Sequence, residues 1–173
     1  MLEHDLRPQA VESLVSTTFA DQPIEGRVDL LAGPPRVVID FKWGRREALR
    51  RELHSGTAFQ LATYAHLASA SGDAVPSFGY FVLRDQTLLG LRGGPFDPEA
   101  ATGGPDPAQV WSWFSRAWGL SLKEVAAGRL RAPGPAIDEA TVDGDRLALP
   151  AACSYCAYDL LCGHGLVEPE GED

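Results

Sequence analysis

Long apolar runs are missing from this chain. Nothing in its 173 residues approaches the ~18 consecutive apolar residues of a membrane span. The polar opening MLEHDLRPQ also lacks the apolar segment of a secretory signal. Together these absences make the cytoplasm the expected location. Cysteine is scarce: there are three, an odd number, all between 153 and 162. In a reducing compartment that count and clustering argue against a disulfide framework and point first to thiols that hold a metal. Basic residues are in deficit, 15 against 24 acids, for a formal charge of −9, part of it in the tail EPEGED. Such a balance argues against broad, nonspecific attraction to nucleic acid, while leaving room for a local basic strip.

The composition is that of a globular protein of one domain, 45% apolar and 23% charged. Its expected organisation is a core over 1–92, a loop, amphipathic helix and connection over 93–150, a cysteine motif over 151–165 and an acidic tail over 166–173. No internal repeat and no second domain are visible. Residues 11–19, 24–32 and 36–42 read as three strands, the last two divided by Gly33-Pro34-Pro35, which cannot continue a ladder. Short links between consecutive strands predict an antiparallel meander. Residues 57–71 are rich in Ala and Leu and predict a helix. SFGYFVLR (77–84) is apolar on both alternations, as in a central strand, and 86–92 reads as its neighbour. A Gly/Pro-dense loop over 93–107 ends in Asp106-Pro107 with Gln109, the pattern of a capped helix start. Val110, Trp113, Phe114, Ala117 and Trp118 then recur at helical spacing, predicting a helix that packs its tryptophans into the core. Beyond the connection 131–140, residues 141–150 look strand-like.

The chemistry concentrates between Ile24 and Tyr64. Asp40 ends an apolar run and Lys42 follows two residues later, so on a strand both project to one side while Phe41 points to the other. Asp29 lies inside the preceding apolar run. Burying such groups is costly without partners or a metal, and a divalent cation is the expected reason for their placement. Asp29 and Asp40 would supply carboxylates to Mg²⁺ or Mn²⁺, with the Phe41 carbonyl a further oxygen, and Lys42 would orient the attacking water. The plainer reading of the triplet alone is a strand-end salt bridge. Arg45 to Arg51 carries four arginines (Arg45, Arg46, Arg50, Arg51) and one glutamate, a phosphate-contacting strip or a solvated face. Gln60 and Tyr64 share a helix face. At the other end, Cys153-x₂-Cys156-x₅-Cys162 offers three thiols for Zn²⁺ or an iron–sulfur cluster, neither complete with three; His164 and His4 are candidate fourth ligands.

In this order the motifs resemble the RecB-like branch of the PD-(D/E)XK nuclease superfamily. Its G-x-x-D, D-x-K and Q-x-x-x-Y pattern appears as Gly26–Asp29, Asp40-Phe41-Lys42 and Gln60–Tyr64, and the three cysteines fit the C-terminal motif of members that carry an iron–sulfur cluster. The resemblance covers roughly residues 12–164. It implies an α/β fold with a restriction-endonuclease-like core, a mixed β-sheet flanked by helices, and a cysteine-rich metal staple at the C-terminus. It further implies a Mg²⁺- or Mn²⁺-dependent DNA exonuclease acting on single strands or ends in repair and recombination. Asp29, Asp40, Lys42, Gln60 and Tyr64 would form its site, and a cluster, 4Fe–4S with zinc as the alternative, would sit at Cys153, Cys156 and Cys162. The partners implied are DNA and a helicase subunit or the rest of a longer polypeptide. Such nucleases begin with helices carrying a further acidic or histidine residue and the cluster's first cysteine. Here the chain opens almost at the first strand, so those helices are expected to be lacking, with His4 and Glu12 the weak substitutes. Two further readings stay open: a non-cutting nuclease-like module that binds DNA or a partner, and a zinc-binding interaction domain.

Overall fold

The computed structural model describes residues 6–69 and 75–129, together with the backbone of 141–143 and 146–148. Six strands form one mixed sheet in sequence order: β1 (Arg7–Phe19), β2 (Gln22–Gly33), β3 (Val37–Lys42), β4 (Ser77–Val82), β5 (Thr87–Leu91) and β6 (Ala101–Thr102). The predicted meander forms: β1 pairs antiparallel with β2, and β2 with β3, the chain turning at Pro34–Arg36. The next step is a crossover. Two helices, α1 (Arg46–Ser55) and α2 (Phe59–Ala68), connect β3 to a parallel β4. The arginine-rich segment is therefore helical, and the helix expected over 57–71 is confined to Phe59–Ala68 among the described residues. Gly56 separates the two. It lies at φ 75, donates its N–H to the Glu52 carbonyl, and a Cβ there would stand 2.6 Å from Pro105. Glycine supplies both the left-handed turn and the room.

Period-two alternation sorts β3 between two cores. Val38 joins Val28, Tyr80, Val82, Leu89 and the helices' Leu49, Leu53, Leu61 and Ala65 on one face. Val37 and Ile39 join Ala32, Phe96 and Ala101 on the other. Small residues at Ala62, Ala65 and Ala68, all buried, let α2 lie close on the sheet. Asp40 keeps the parity of Val38 and is drawn beneath the helices; Phe41 keeps that of Ile39 and meets Phe81 edge-on at 5.7 Å.

The loop 93–107 holds a strand that composition hid, the two-residue β6, parallel to β5. The capped helix start is as expected: α3 (Pro107–Ala126) begins at Asp106, whose carboxylate accepts from the Gln109 N–H at 2.8 Å. Its tryptophan stripe is only half a core. Val110 is fully buried and Trp111 packs on the cluster, but Trp118 is 49% exposed, and Leu120, Leu122 and Val125 are exposed with it. Helical spacing defines a face, and α3 lays the first half of it chiefly on α2, where Phe114 stacks on Phe59 at 5.6 Å and Trp111 on His66 at 4.1 Å. The strand-like stretch after 140 forms a small antiparallel pair, β7 (Thr141–Asp143) and β8 (Arg146–Ala148).

Candidate active site

The β2–β3 register pairs Leu30 with Ile39, and one further step sets Asp29 opposite Asp40. Asp29 is fixed there by the Phe41 N–H, which donates to its Oδ2 at 2.7 Å. Asp40 is 2% exposed. The Lys42 ammonium lies 2.8 Å from Asp40 Oδ2, as same-side projection predicts, and donates to Gln60 Oε1 at 2.8 Å. The Gln60 amide in turn donates from Nε2 to the Tyr64 hydroxyl at 3.0 Å, one helical turn on. The hydroxyl accepts, which leaves the phenolic proton for a further acceptor. Five sequence-predicted residues thus come together, with Lys42 held between a strand carboxylate and a helix amide.

Burial pushes the Asp40 carboxyl above its ordinary value; the bond and charge of Lys42 pull it down, and the neighbouring Asp29 raises it again. Sequence reading missed two residues at this site. Tyr80 on β4 is the register partner of Asp40, fully buried, and donates to Glu52 Oε2 at 2.9 Å. Burial drives its phenol far up, reinforced by the charges of Glu52 and Asp40. The proton therefore stays on Tyr80, which donates it to the Glu52 carboxyl. The available signal was Glu52 itself, an acid four residues before Gly56 that follows Arg50 and Arg51, but its partner depends on the parallel crossover.

The arginines do not form one surface. Arg45 and Arg51 are exposed, whereas Arg46 and Arg50 are half-buried, with Nε atoms that make no hydrogen bond among the described residues. Arg50 also donates to the Glu99 carbonyl at 3.4 Å, a long bond. Glu12 is exposed, 4.0 Å from Arg27. Cys153, Cys156, Cys162, His164 and His4 lie outside the described residues. A cavity of about 630 Å³ lined by Arg36, Ser77, Arg92 and Asp106 opens at the opposite ends of β3 and β4 and touches none of the five site residues.

A mixed sheet with helices, carrying an acid within β2 and an acid and amine at the end of β3, defines a restriction-endonuclease-like α/β fold. The PD-(D/E)XK nuclease superfamily model matches residues 2–163, and the chain belongs to that superfamily. No curated protein and no solved structure matches the chain. Superfamily members are in general phosphodiester hydrolases that use Mg²⁺ or Mn²⁺, with DNA as substrate.

The residues present fit such a cation. Asp40 Oδ2 is buried, and what balances it is the charge of the Lys42 ammonium 2.8 Å away. Two carboxylates and a carbonyl are hard oxygen donors of the kind Mg²⁺ takes. Among the described residues no group of three or more His, Cys, Asp or Glu converges, so the remaining positions would fall to water.

Proposed function

We propose that the chain is a Mg²⁺-dependent DNA nuclease domain of the RecB-like branch, an exonuclease acting on single strands or ends in repair and recombination. One observation carries the reading. Lys42 is held by both Asp40 and Gln60, an arrangement that a purely structural module would not need. Asp29 and Asp40 would hold the cation, with the Phe41 carbonyl beside them. The cation supplies charge stabilisation at the phosphate and a more acidic water. Lys42 orients that water and meets the developing negative charge; Gln60 positions Lys42, and Tyr64 positions Gln60.

The cysteines Cys153, Cys156 and Cys162 complete the proposal as ligands of a 4Fe–4S cluster, with zinc as the alternative. A helicase subunit or a longer polypeptide is the proposed partner, and the cytoplasm the proposed location. Among the described residues no helix is long and apolar enough to cross a membrane. A non-cutting DNA-binding module is the second reading, favoured by the lack of a third converging carboxylate among the described residues.

The test is cleavage of end-labelled single-stranded and duplex DNA with Mg²⁺ or Mn²⁺, using the wild-type chain and Asp40→Asn. Cleavage by the wild type and none by the variant is the expected result. A folded wild type that cuts neither substrate with either metal gives the second reading its place.

A further inference from the structure

We propose that Trp43 is a stacking platform for an unpaired base and selects single-stranded DNA at this site. The inference rests on the nuclease reading, because it requires a DNA strand to reach Asp40 and Lys42. Trp43 is 73% exposed, the highest value among the large apolar side chains of the described residues. An indole left in water forgoes the burial that normally stabilises it, so its placement calls for a partner. Its Cα can lie only ~3.8 Å from that of Lys42. Because β3 ends at Lys42, Trp43 is released from the strand's alternation, and a nucleotide whose phosphate meets Lys42 has the backbone that carries the ring one residue away.

The support beneath the indole is rigid. The Leu83 N–H donates to the Lys42 carbonyl at 2.9 Å, carrying the β3–β4 ladder up to the residue before Trp43. The Phe41–Phe81 contact fixes the strand two residues before Trp43. Exposed Arg45 follows two residues later, so an aromatic ring and a guanidinium flank Gly44. Aromatic rings interleaved with cations are how proteins hold single strands, since every base has a face to stack while the cations follow the phosphates. Within a duplex those faces are already occupied by neighbouring bases. Phe41 and Leu83, 42% and 41% exposed, are the exposed apolar residues nearest Trp43 along the chain and across the ladder, but three side chains fall far short of a protein–protein interface. A base is the occupant of the right size.

The experiment measures binding of the full chain to a fluorescent single-stranded oligonucleotide and to its duplex in Ca²⁺, and cleavage of both in Mg²⁺. The variants are Trp43→Ala and Trp43→Phe, each checked by thermal melting. Trp43→Ala should bind the single strand about 5- to 150-fold more weakly, the loss of one base–aromatic stack. Trp43→Phe should recover most of that loss, and duplex binding should not change. Equal single-strand affinity in Trp43→Ala and wild type overturns the proposal. So does an equal loss on both substrates, or a wild type that binds and cuts only duplex, a result that leaves the nuclease reading intact. Trp43-dependent single-strand binding without cleavage supports the stack and removes the nuclease reading. Neither binding nor cleavage removes both.

Discussion

Gly26 lies directly beneath the ring of Tyr64: a Cβ added to Gly26 would stand 2.6 Å from Tyr64 Cε1 and 3.0 Å from Cδ1. Because β2 carries no side chain there, the phenol rests against the strand. Its hydroxyl then meets Gln60, whose other amide atom holds Lys42. The glycine that precedes Asp29 by three residues thus sets the position of an amine on a different strand.

Gly26→Ala should therefore displace Tyr64 and loosen Lys42 without touching any ionisable group. Cleavage is expected to fall by up to ~10²-fold, the scale of a misplacement of about 1 Å in a catalytic group. DNA affinity should hold. A double-mutant cycle checks the route: in a Tyr64→Ala background, Gly26→Ala should add little. Additive losses would show that the glycine acts elsewhere.

The Lys42 ammonium has two holders, so removing one differs from removing the amine itself. Lys42→Ala should keep DNA affinity and lose cleavage by about 10² or more, as for one transition-state contact. Gln60→Ala leaves Asp40 as a holder and should cost less. Single-turnover rates under saturating enzyme separate the two, and a Lys42→Ala rate equal to wild type would remove the lysine from the chemistry.

Much of this site was legible because its logic is local. Period two placed Asp40 and Lys42 on one side, and one helical turn joined Gln60 to Tyr64. What escaped depends on long-range pairing. Tyr80 meets Asp40 only because β4 lies parallel to β3 after a two-helix crossover, a choice that no single segment encodes. The two-residue β6 pairs with β5 inside a Gly/Pro-rich loop, where composition predicts no strand; buried Phe96 anchors that loop in the second core. Helical spacing gathered Trp113, Phe114 and Trp118 on a face but could not tell that its main support is the short helix α2, which reaches only part of it. Trp43, next to the D-x-K triplet, drew no reading from the sequence because only exposure distinguishes it.

Asp40→Asn should make the protein more stable while abolishing its activity. The folded carboxyl titrates above the ordinary value of 3.8, chiefly because burial penalises its charge. A raised acid contributes stability below the unfolded value and loses it as pH rises through the folded one. At pH 7 the wild type therefore carries a cost that the amide lacks. Melting temperatures should differ in favour of the variant by about 2–4 °C if that cost is ~1 kcal/mol. The difference should shrink as pH is lowered and vanish below 3.8, where the wild-type carboxyl is protonated in both states. A variant less stable than wild type at pH 7 would mean that the Lys42 contact outweighs desolvation.

The arginines of α1 and its N-cap divide into two pairs, and salt dependence should report the division. Exposed Arg45 and Arg51 can meet phosphates freely, so their double alanine variant should lower the slope of log K against log salt by about 1.4 on a single strand, roughly 0.7 for each contact. Its melting temperature should not change, since neither side chain is buried. Arg46 and Arg50 are half-buried and Arg50 reaches the Glu99 carbonyl, so their double variant should lose stability as well as affinity. Their Nε atoms already lack hydrogen-bond partners among the described residues, and a bound phosphate would provide the acceptor. Equilibrium binding across a salt series, with melting curves for each variant, measures both effects. If removing all four arginines leaves the slope at the wild-type value, the helix is a solvated face and DNA approaches from another side of the site.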